Sequence, residues 1–168
     1  MADRKFASLV EAAAEPYRRS GRYAWHFARG KLRGDPVFRF LLSRGVLPAA
    51  GVLFDLGCGQ GVLMALLRAA SASHARGDWP EEWPAPPSSL KLHGVELNRR
   101  RAEVAGQALD GGAVVESGDI RHAPLPACTA IVILDVLLYL DDADQRRVLA
   151  RCAEALGPGG VLLLTCAT

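Results

Sequence analysis

The chain has 168 residues and a formal net charge of +2, with 50% hydrophobic and 23% charged residues. This length fits one core of about 150 residues, and the apolar content excludes a disordered chain. The longest apolar stretch, 129–140, contains Asp135 and falls short of the roughly 20 residues that cross a bilayer, which argues against a transmembrane segment.

The N-terminus and the cysteines predict a cytoplasmic protein with free thiols. The first 30 residues carry many charges and no uninterrupted apolar segment, so they do not resemble a secretory signal. The spacing of the cysteines fits neither a zinc site nor a disulfide framework, and we predict no metal. The cysteines are Cys58, Cys128, Cys152 and Cys166.

Positive charge is concentrated near the N-terminus. Residues 16–44 contain eight Arg or Lys and one Asp, so this segment carries +7 and the rest of the chain carries −5. Such a segment can bind nucleic acid, anionic lipid or an acidic carrier, or it can be the solvated surface of exposed helices. We favour the solvated surface, because no RNA-binding aromatic pattern accompanies the charge. The nucleic-acid alternative would use Arg18, Arg19, Arg22, Arg29, Lys31 and Arg33.

The N-terminal part of the chain predicts helices. Residues 3–15 and 17–29 carry apolar side chains at helical spacing. Asp35 and Pro36 supply an N-cap and a first turn for a short third helix, and Gly45 ends it.

From residue 51 onward, predicted strands and helices alternate. The strands are 51–56, 90–97, 113–117, 130–134 and 161–165, and the helices are 62–72, 98–109 and one from Asp142, with Gln145 in a capping box and Gly157-Pro158 as its end. Near-continuous apolar strands between amphipathic helices predict an α/β fold, a doubly wound, Rossmann-like parallel sheet with helices on both faces.

We divide the chain into a helical extension or lid, 1–46, and a Rossmann-like ligand-binding domain, 47–168. A proline-rich loop at 73–89 contains Trp79 and Trp83. Tryptophans seldom stay fully solvated, so we expect both to pack on the body of the protein or to touch a partner.

The strongest local motif is a strand that runs into a glycine turn. In the segment 55–61, Asp-Leu-Gly-Cys-Gly-Gln-Gly, the glycines allow a sharp turn and the close approach of a ligand to the main chain. Val62 occupies the position of the third glycine in a dinucleotide-binding motif, so the glycine spacing argues against an NAD site. An NAD(P)-dependent oxidoreductase stays an alternative.

Four carboxylates are predicted at the carboxyl ends of four strands: Asp55, Glu96, Asp119 and Asp135. In a doubly wound sheet these ends form the ligand crevice. Acidic acceptors there repel a pyrophosphate but suit a ligand with an ammonium, a sulfonium, ribose hydroxyls and an adenine amine. S-adenosylmethionine has all of these groups.

With these motifs, residues 47–165 resemble class I S-adenosylmethionine-dependent methyltransferases, whose first motif is similar to segment 55–61. The resemblance implies this cofactor, with S-adenosylhomocysteine as the product. The implied contacts are Asp55, Gly57, Cys58, Gly59, Gly61, Asp135 and Val136 for the methionine part, Glu96 for the ribose hydroxyls, Asp119 and Ile120 for the adenine, and Leu97 as a further cofactor contact. More narrowly, residues 17–33 and the proline-rich loop resemble methyltransferases associated with bacterial aryl-polyene pigment biosynthesis.

The resemblance also implies a lid over the cofactor at residues 17–33. Candidates to pair with the methionine carboxylate are Arg22, Arg29 and Lys31, and candidates to shield the sulfonium are Tyr23, Trp25 and Phe27. His26 and His122 are candidates for a base that takes the acceptor proton, and Tyr139 is a candidate for the acceptor pocket. The region after the fourth strand lacks an Asn-Pro-Pro-Tyr or Asp-Pro-Pro-Tyr element. We therefore expect a small organic acceptor, possibly aromatic or carrier-attached, methylated on oxygen or carbon.

The chain departs from the family pattern in two respects. Asp55 and Glu96 are 41 positions apart, about double the family's gap. The chain also stops after the fifth strand, where family members add a helix and a hairpin, so we expect a truncated sheet or an edge covered by another subunit, as in a homo-oligomer. A further alternative is a partner module with a methyltransferase-like core and no turnover.

Overall fold

The computed structural model describes residues 1–165, so Cys166 lies outside the described residues. The α-helices are Ala2–Ala14 (α1), Arg22–Gly34 (α2), Pro36–Arg44 (α3), Val62–Ala75 (α4), Arg99–Leu109 (α5) and Asp142–Ala155 (α6). The strands are Ala50–Leu56 (β1), Ser89–Glu96 (β2), Val114–Ser117 (β3), Cys128–Ile133 (β4) and Leu156–Leu164 (β5). Short 3₁₀ helices occupy Glu15–Ser20 and Leu137–Tyr139.

The strands form a parallel sheet in the order β3-β2-β1-β4-β5. Leu53 in the middle of β1 pairs with Leu92 of β2 on one side and with Ala130 of β4 on the other. The chain builds outward from β1 to β3 and then returns to add β4 and β5 at the opposite edge, so the strand order reverses between β1 and β4. The predicted doubly wound α/β fold is confirmed.

Side chains that alternate along the strands build an apolar core on each face of the sheet. On one face, Leu53 and Val132 pack with buried residues of helices α1 to α5. On the other face, Phe54 and Ile131 pack with Val148 and other residues of α6. This two-sided burial explains why the central strands are almost continuously apolar in sequence.

The proline-rich loop packs on the N-terminal helices. Trp79 is buried, and its Nε1 donates to Pro84 O at 3.0 Å. The rings of Trp79 and Trp83 meet edge to face with their centroids 5.7 Å apart, and Trp83 also contacts Phe6 of α1 at 6.0 Å. Of the two expectations for these tryptophans, packing on the body is confirmed.

Most elements begin or end within a few residues of the predicted bounds, and three larger departures have a structural cause. The helix expected at 17–29 is interrupted at Gly21, whose φ of 104° separates the first 3₁₀ helix from α2. α6 begins at Asp142, as predicted, but its N-cap is Asp141, and the predicted capping box is wrong because Gln145 donates to main-chain carbonyls of the 137–140 turn. β5 begins at Leu156, where pairing with β4 starts ahead of an irregularity in the register.

No helix within residues 1–165 is long and apolar enough to span a membrane. Cys58, Cys128 and Cys152 are buried free thiols.

Candidate functional site

A cavity of about 450 Å³ opens at the carboxyl ends of the strands. It lies where the strand order reverses between β1 and β4, the position at which doubly wound sheets bind ligands. Residues at or just after the carboxyl ends of β1, β2, β3 and β4 line it, and α2 and α3 contribute one wall through Phe27, Lys31 and Phe38. The crevice predicted from the strand ends is therefore present.

The glycine turn after β1 brings the main chain to the cavity. Gly57 and Gly59 adopt φ values of 80° and 57°. The amide groups of Gly57 and Cys58 donate to Val95 O at 2.8 and 3.0 Å, which ties the turn to β2. A Cβ on Gly57 would collide with Val136, so this close approach requires glycine.

Two other residues of the turn face structural neighbours. Gly61 does not line the cavity but precedes α4, where a Cβ would lie 3.0 Å from Ala105 Cβ of α5. Gly61 therefore lies where α4 packs against α5, and its cofactor contact stays a prediction. Cys58 does line the cavity, and burial raises the pKa of its thiol, which keeps this side chain neutral.

The Glu96 carboxylate links the glycine turn to the end of β2. Its Oε2 accepts from Gly59 N at 2.9 Å and its Oε1 accepts from Asn98 N at 2.8 Å. Glu96 is buried, and two main-chain donors hold its position. Each carboxylate oxygen has a second lone pair, so Glu96 can still accept from a ligand.

Asp55 is buried at the end of β1 and lines the same cavity. Burial, and after it the negative charge of Glu96, raises the pKa of Asp55 to about 7. A buried carboxyl group of this kind ionises readily only when a positive charge or hydrogen-bond donors come close. The floor of the cavity therefore offers an acceptor site for a ligand cation.

Gln60 is a cavity residue that the sequence analysis did not assign. It is 8% exposed, and its Oε1 has no hydrogen-bond partner within residues 1–165. Its main-chain oxygen accepts from Tyr17 Oη at 2.7 Å, a bond that fixes the turn to the N-terminal segment. A buried acceptor without a partner costs stability. In the sequence, the position of Gln60 between two glycines of the motif could have identified it as a cavity residue.

Asp119 is bound by an arginine. Arg121 Nε lies 3.0 and 2.9 Å from the two carboxylate oxygens of Asp119, and Arg121 Nη1 also contacts Asp144 at 3.1 Å. The hydrogen bond from Arg121 lowers the pKa of Asp119 to about 2. Leu97 and Ile120 line the cavity at the same end.

Asp135 forms an ion pair across the opposite end of the cavity. Lys31 Nζ lies 2.8 Å from Asp135 Oδ2 and 2.8 Å from Asp35 Oδ2, so one ammonium joins α2, α3 and the end of β4. Asp135 has a φ of 57°, unusual for a residue other than glycine. Thr165 Oγ1 accepts from Asp135 N at 2.7 Å and donates to Asp135 Oδ1 at 2.9 Å, which holds this conformation.

The predicted lid residues divide into two groups. Phe27 and Lys31 line the cavity. Arg29 instead binds Glu11 at 2.8 Å, and Trp25 lies between the guanidinium groups of Arg29 and Arg18. Exposed Arg22 and Tyr23 complete the second group, which lies away from the cavity wall.

Of the three candidates for chemistry, Tyr139 lies on the cavity wall. It is 80% exposed, so it is not part of the apolar core. His26 and His122 do not line the cavity in the described part of the chain, and both are exposed. His26 instead packs edge-on against Trp25, with the ring centroids 4.6 Å apart, because it lies on a different side of α2 from Phe27 and Lys31.

The cavity wall is less acidic than the sequence predicted. Its four carboxylates are accompanied by Lys31, Arg101 and Arg121. Two of the carboxylates are neutralised by ion pairs, Asp135 by Lys31 and Asp119 by Arg121. Within residues 1–165, Asp55 and Glu96 are the cavity carboxylates that form no ion pair, and both are on the floor. The expected rim of four free carboxylates is corrected to an acidic floor with neutralised ends.

The basic N-terminal segment is largely paired with acidic side chains. Arg18 binds Glu15, Arg19 binds Asp110, and Arg29 and Arg33 both bind Glu11. Ion pairs within the protein compete with phosphate contacts, so this arrangement favours the solvated-surface interpretation over nucleic-acid binding.

Residues 54–164 match the family described as "Methyltransferase domain". The chain is 30% identical over 118 residues to the carboxy-S-adenosyl-L-methionine synthase of Chromohalobacter salexigens, an alignment that covers 67% of this chain and 38% of the relative. It is 30% identical over 117 residues to the 2,7-dihydroxy-5-methyl-1-naphthoate 7-O-methyltransferase of Streptomyces carzinostaticus, which covers 69% of this chain and 31% of the relative. The chain therefore spans well under half the length of these relatives.

A solved structure agrees with these matches. CalS10, an amino pentose methyltransferase from Micromonospora echinaspora whose structure contains bound S-adenosylmethionine, is 26% identical and superposes with a TM-score of 0.55. The superposition covers 84% of this chain and 54% of that protein.

Proposed function

This chain belongs to the methyltransferase domain family of class I, S-adenosylmethionine-dependent fold, and from that premise we propose that it transfers a methyl group from S-adenosylmethionine to a small organic acceptor. One observation carries the proposal: a cavity at the β1–β4 crossing has a floor of two buried carboxylates, Asp55 and Glu96, that form no ion pair within residues 1–165. A positively charged nucleoside with hydroxyl and amine donors is the chemistry that such a floor accepts.

The cavity residues are arranged in an order that matches the successive parts of this cofactor. Because β3, β2, β1 and β4 are neighbours in the sheet, the groups at their ends follow one another across the cavity. Asp119 and Ile120 would hold the adenine, Glu96 the ribose hydroxyls, and Asp55 the ammonium of the methionine part. The buried Asp55 carboxyl group is the observation that supports the fit, because it ionises readily only when a cation or hydrogen-bond donors come close.

The chain's contribution to catalysis is alignment. S-adenosylmethionine supplies a methyl group on a positively charged sulfur, which an acceptor nucleophile can take directly. Holding two reactants in line is worth roughly 7 to 11 kcal/mol in favourable cases. Two main-chain donors hold Glu96 in position, and the close contact with Val136 holds Gly57. Phe27 and Phe38 form an apolar wall that excludes water from the cavity.

The same wall suggests the class of acceptor. Phe27, Leu134, Tyr139 and Leu140 line the cavity around its β4 end, and apolar and aromatic surfaces of this kind bind planar organic molecules. The relative named for 7-O-methylation of a naphthoate supports an aromatic acceptor. We assign Tyr139 to acceptor contact and give His26 and His122 no part in the chemistry, because they lie off the wall.

Three finer predictions from the sequence stay predictions. They are attachment of the acceptor to a carrier, a second subunit against β5, and the narrower resemblance to methyltransferases of aryl-polyene biosynthesis. The open mouth of the cavity beside exposed Tyr139 leaves room for a carrier-attached acceptor.

Thermal unfolding with added ligands tests the proposal. S-adenosylhomocysteine at 100 times its dissociation constant should stabilise the folded chain by about 2.7 kcal/mol, whereas NAD should give no shift. Glu96→Ala should abolish the shift because it removes the acceptor on the cavity floor. Glu116→Ala, at an exposed position on neighbouring β3, is the matched control and should retain the shift.

The outcomes separate the alternatives. A shift with NAD alone would point to the oxidoreductase interpretation. A folded chain that responds to neither compound would point to a partner module without turnover. A shift with S-adenosylhomocysteine but no methylated product from hydroxylated aromatic acceptors would confine the proposal to cofactor binding.

A further inference from the structure

A loop without a helix connects β3 to β4 and carries two residues of the cavity. The loop spans residues 118–127, and its Asp119 and Ile120 line the cavity. The turn near its start is closed by the Asp119 carbonyl, which accepts from His122 N at 2.9 Å and from Ala123 N at 2.7 Å. The carbonyl groups of Ile120 and Ala123 take no part in closing this turn, so they need partners from elsewhere in the fold.

Arg151 of α6 supplies those partners. Its Nη1 donates to Ile120 O at 2.7 Å, and its Nη2 donates to Ala123 O. A guanidinium presents several N–H donors in one rigid plane, so a single side chain can hold two carbonyl groups at once. Arg151 is half-buried, and the residues that it joins are 31 and 28 positions apart in sequence. These hydrogen bonds therefore attach the turn to the body of the protein.

Two further contacts attach the same turn to α6. Ile120 is buried and belongs to the apolar cluster that contains Val148 of this helix. Arg121 Nη1 donates to Asp144 at 3.1 Å. Asp144, Val148 and Arg151 follow one another at intervals of four and three positions, which places them on one face of α6. This face of the helix therefore holds the turn through main-chain, apolar and charged contacts together.

A different side chain of α6 holds the other end of the cavity. Gln145 Nε2 donates to Leu137 O at 3.1 Å and to Leu140 O at 3.0 Å, around the 3₁₀ turn that carries Tyr139. The helix thus holds the loop after β3 and the turn after β4 by separate hydrogen bonds. Either attachment can be removed by substitution while the other is kept.

We propose that Arg151 is a positioning residue that sets the preference of the cavity for an adenine base. This inference rests on the proposed function, in which Asp119 and Ile120 hold the adenine. Within residues 1–165 Arg151 does not line the cavity, so it acts through the main chain of the turn. By holding the turn, it fixes where Asp119 and Ile120 lie relative to the cavity floor.

Recognition of the base depends on that fixed position. The exocyclic amine of adenine can donate to the Asp119 carboxylate, whereas hypoxanthine has an acceptor oxygen at the same place, which a carboxylate repels. A hydrogen bond weakens steeply with distance and angle, so a carboxylate held in place distinguishes the two bases. A carboxylate on a loosened turn can move away from the hypoxanthine oxygen, and the distinction is then lost.

Isothermal titration with two ligands that differ only in the base tests this role. The unaltered chain should bind S-adenosylhomocysteine at least about 10-fold more tightly than S-inosylhomocysteine, the strength of one hydrogen bond to a charged group. Arg151→Met removes both donors and keeps an apolar stem, and the preference should fall to about twofold or less because the turn is no longer fixed. A general loss of stability would lower both affinities by the same factor and leave the preference unchanged.

Three further variants complete the design. Arg151→Lys keeps the positive charge but cannot span both carbonyl groups, so the preference should fall by about two- to threefold, and this variant carries the test if Arg151→Met does not fold. Arg146→Met removes an exposed arginine from the same helix and should keep the full preference. Gln145→Leu releases the turn at the other end of the cavity and should also keep it. Urea unfolding reports whether each variant is folded.

The outcomes distinguish this inference from the proposed function. If the unaltered chain binds neither ligand, the proposed function fails, and the role of Arg151 fails with it. If the unaltered chain prefers S-adenosylhomocysteine and the folded Arg151 variants keep the full preference, the cofactor assignment stands and the role of Arg151 is overturned. An equal loss of preference in Gln145→Leu would also overturn it, because the packing of α6 as a whole would then place the turn.

Discussion

The two carboxylates on the cavity floor, Asp55 and Glu96, differ from the two at its ends, Asp119 and Asp135, although all four lie at or just after the carboxyl ends of strands. The floor pair is buried and has no cation partner in the described residues; main-chain amides hold Glu96, and burial makes Asp55 reluctant to ionise. The end pair is more exposed, and each member is paired with a side-chain cation.

The difference shows that a position at a strand end fixes where a carboxylate is but not what it can do. The floor pair is set by main-chain geometry and needs a ligand cation to complete it. Each member of the end pair already has a cation partner, so a ligand cation there would have to compete with Lys31 or Arg121. We therefore expect changes on the floor to affect folding strongly and changes at the ends to affect it weakly.

The largest effect is expected from Asp55→Asn. Because the pKa of Asp55 in the folded chain, about 7, lies above its ordinary value of 3.8, folding favours the protonated form. The contribution of this group is fully present below about pH 4 and is lost as the pH rises to about 7. Ionisation then costs up to about 4 kcal/mol, and asparagine avoids that cost.

Urea unfolding between pH 4 and pH 8 measures this effect. Asp55→Asn should be more stable than the unaltered chain at pH 8 and close to it at pH 4. Asp142→Asn, at an exposed carboxylate in the first turn of α6, is the control and should not change the pH dependence. Equal pH profiles for Asp55→Asn and the unaltered chain would mean that Asp55 is solvated, as the end pair is.

A smaller effect is expected at the glycine turn on the floor. Gly57→Ala should cost about 3 kcal/mol, from the left-handed conformation and the collision with Val136. Gly59→Ala is the matched variant, since its φ is also positive but no atom lies within 4 Å of its Cβ, and it should cost about 1 kcal/mol.

Adding Val136→Ala to Gly57→Ala should recover stability, because it removes the atoms that collide. Chemical unfolding of the two single variants and the double variant gives their coupling energy. Equal losses for Gly57→Ala and Gly59→Ala, with no recovery in the double variant, would show that contact with Val136 does not restrict the floor.

The sequence predicted the features that depend on local chemistry and periodicity. The cap of α3 is an example, because Asp35 accepts from Val37 N at 3.0 Å and Gly45 ends the helix in the left-handed region, both as predicted. The alternation of strands and helices predicted the sheet, and the sheet placed all four carboxylates at one cavity. These inferences needed only neighbouring residues or one known topology.

The sequence did not predict which distant side chains would meet. Lys31 reaches Asp135 over 104 positions, and Arg121 reaches Asp144 through the packing of α6. Gln60 was overlooked because its unpaired atom becomes apparent only when its surroundings are known. The interruption at Gly21 likewise helps to set which residues of α2 face the cavity.

The smallest effect is expected at the end of the cavity, from Asp119→Asn. Asparagine keeps an oxygen for Arg121 N, which lies 2.9 Å from Asp119 Oδ1, and loses only the ion pair with the Arg121 side chain. The pKa of Asp119 is lowered to about 2, so the pair stabilises the fold above pH 4 and is lost as the pH falls through 2. In 1 M salt the Debye length is about 3 Å, so the difference in unfolding free energy from the unaltered chain should become smaller there.

The control is Asp110→Asn, which breaks the exposed ion pair with Arg19, and urea unfolding of both variants at low and high salt makes the comparison. A loss as large as that of Gly57→Ala, unchanged by salt, would mean that Arg121 anchors the cavity end as firmly as the main chain anchors its floor.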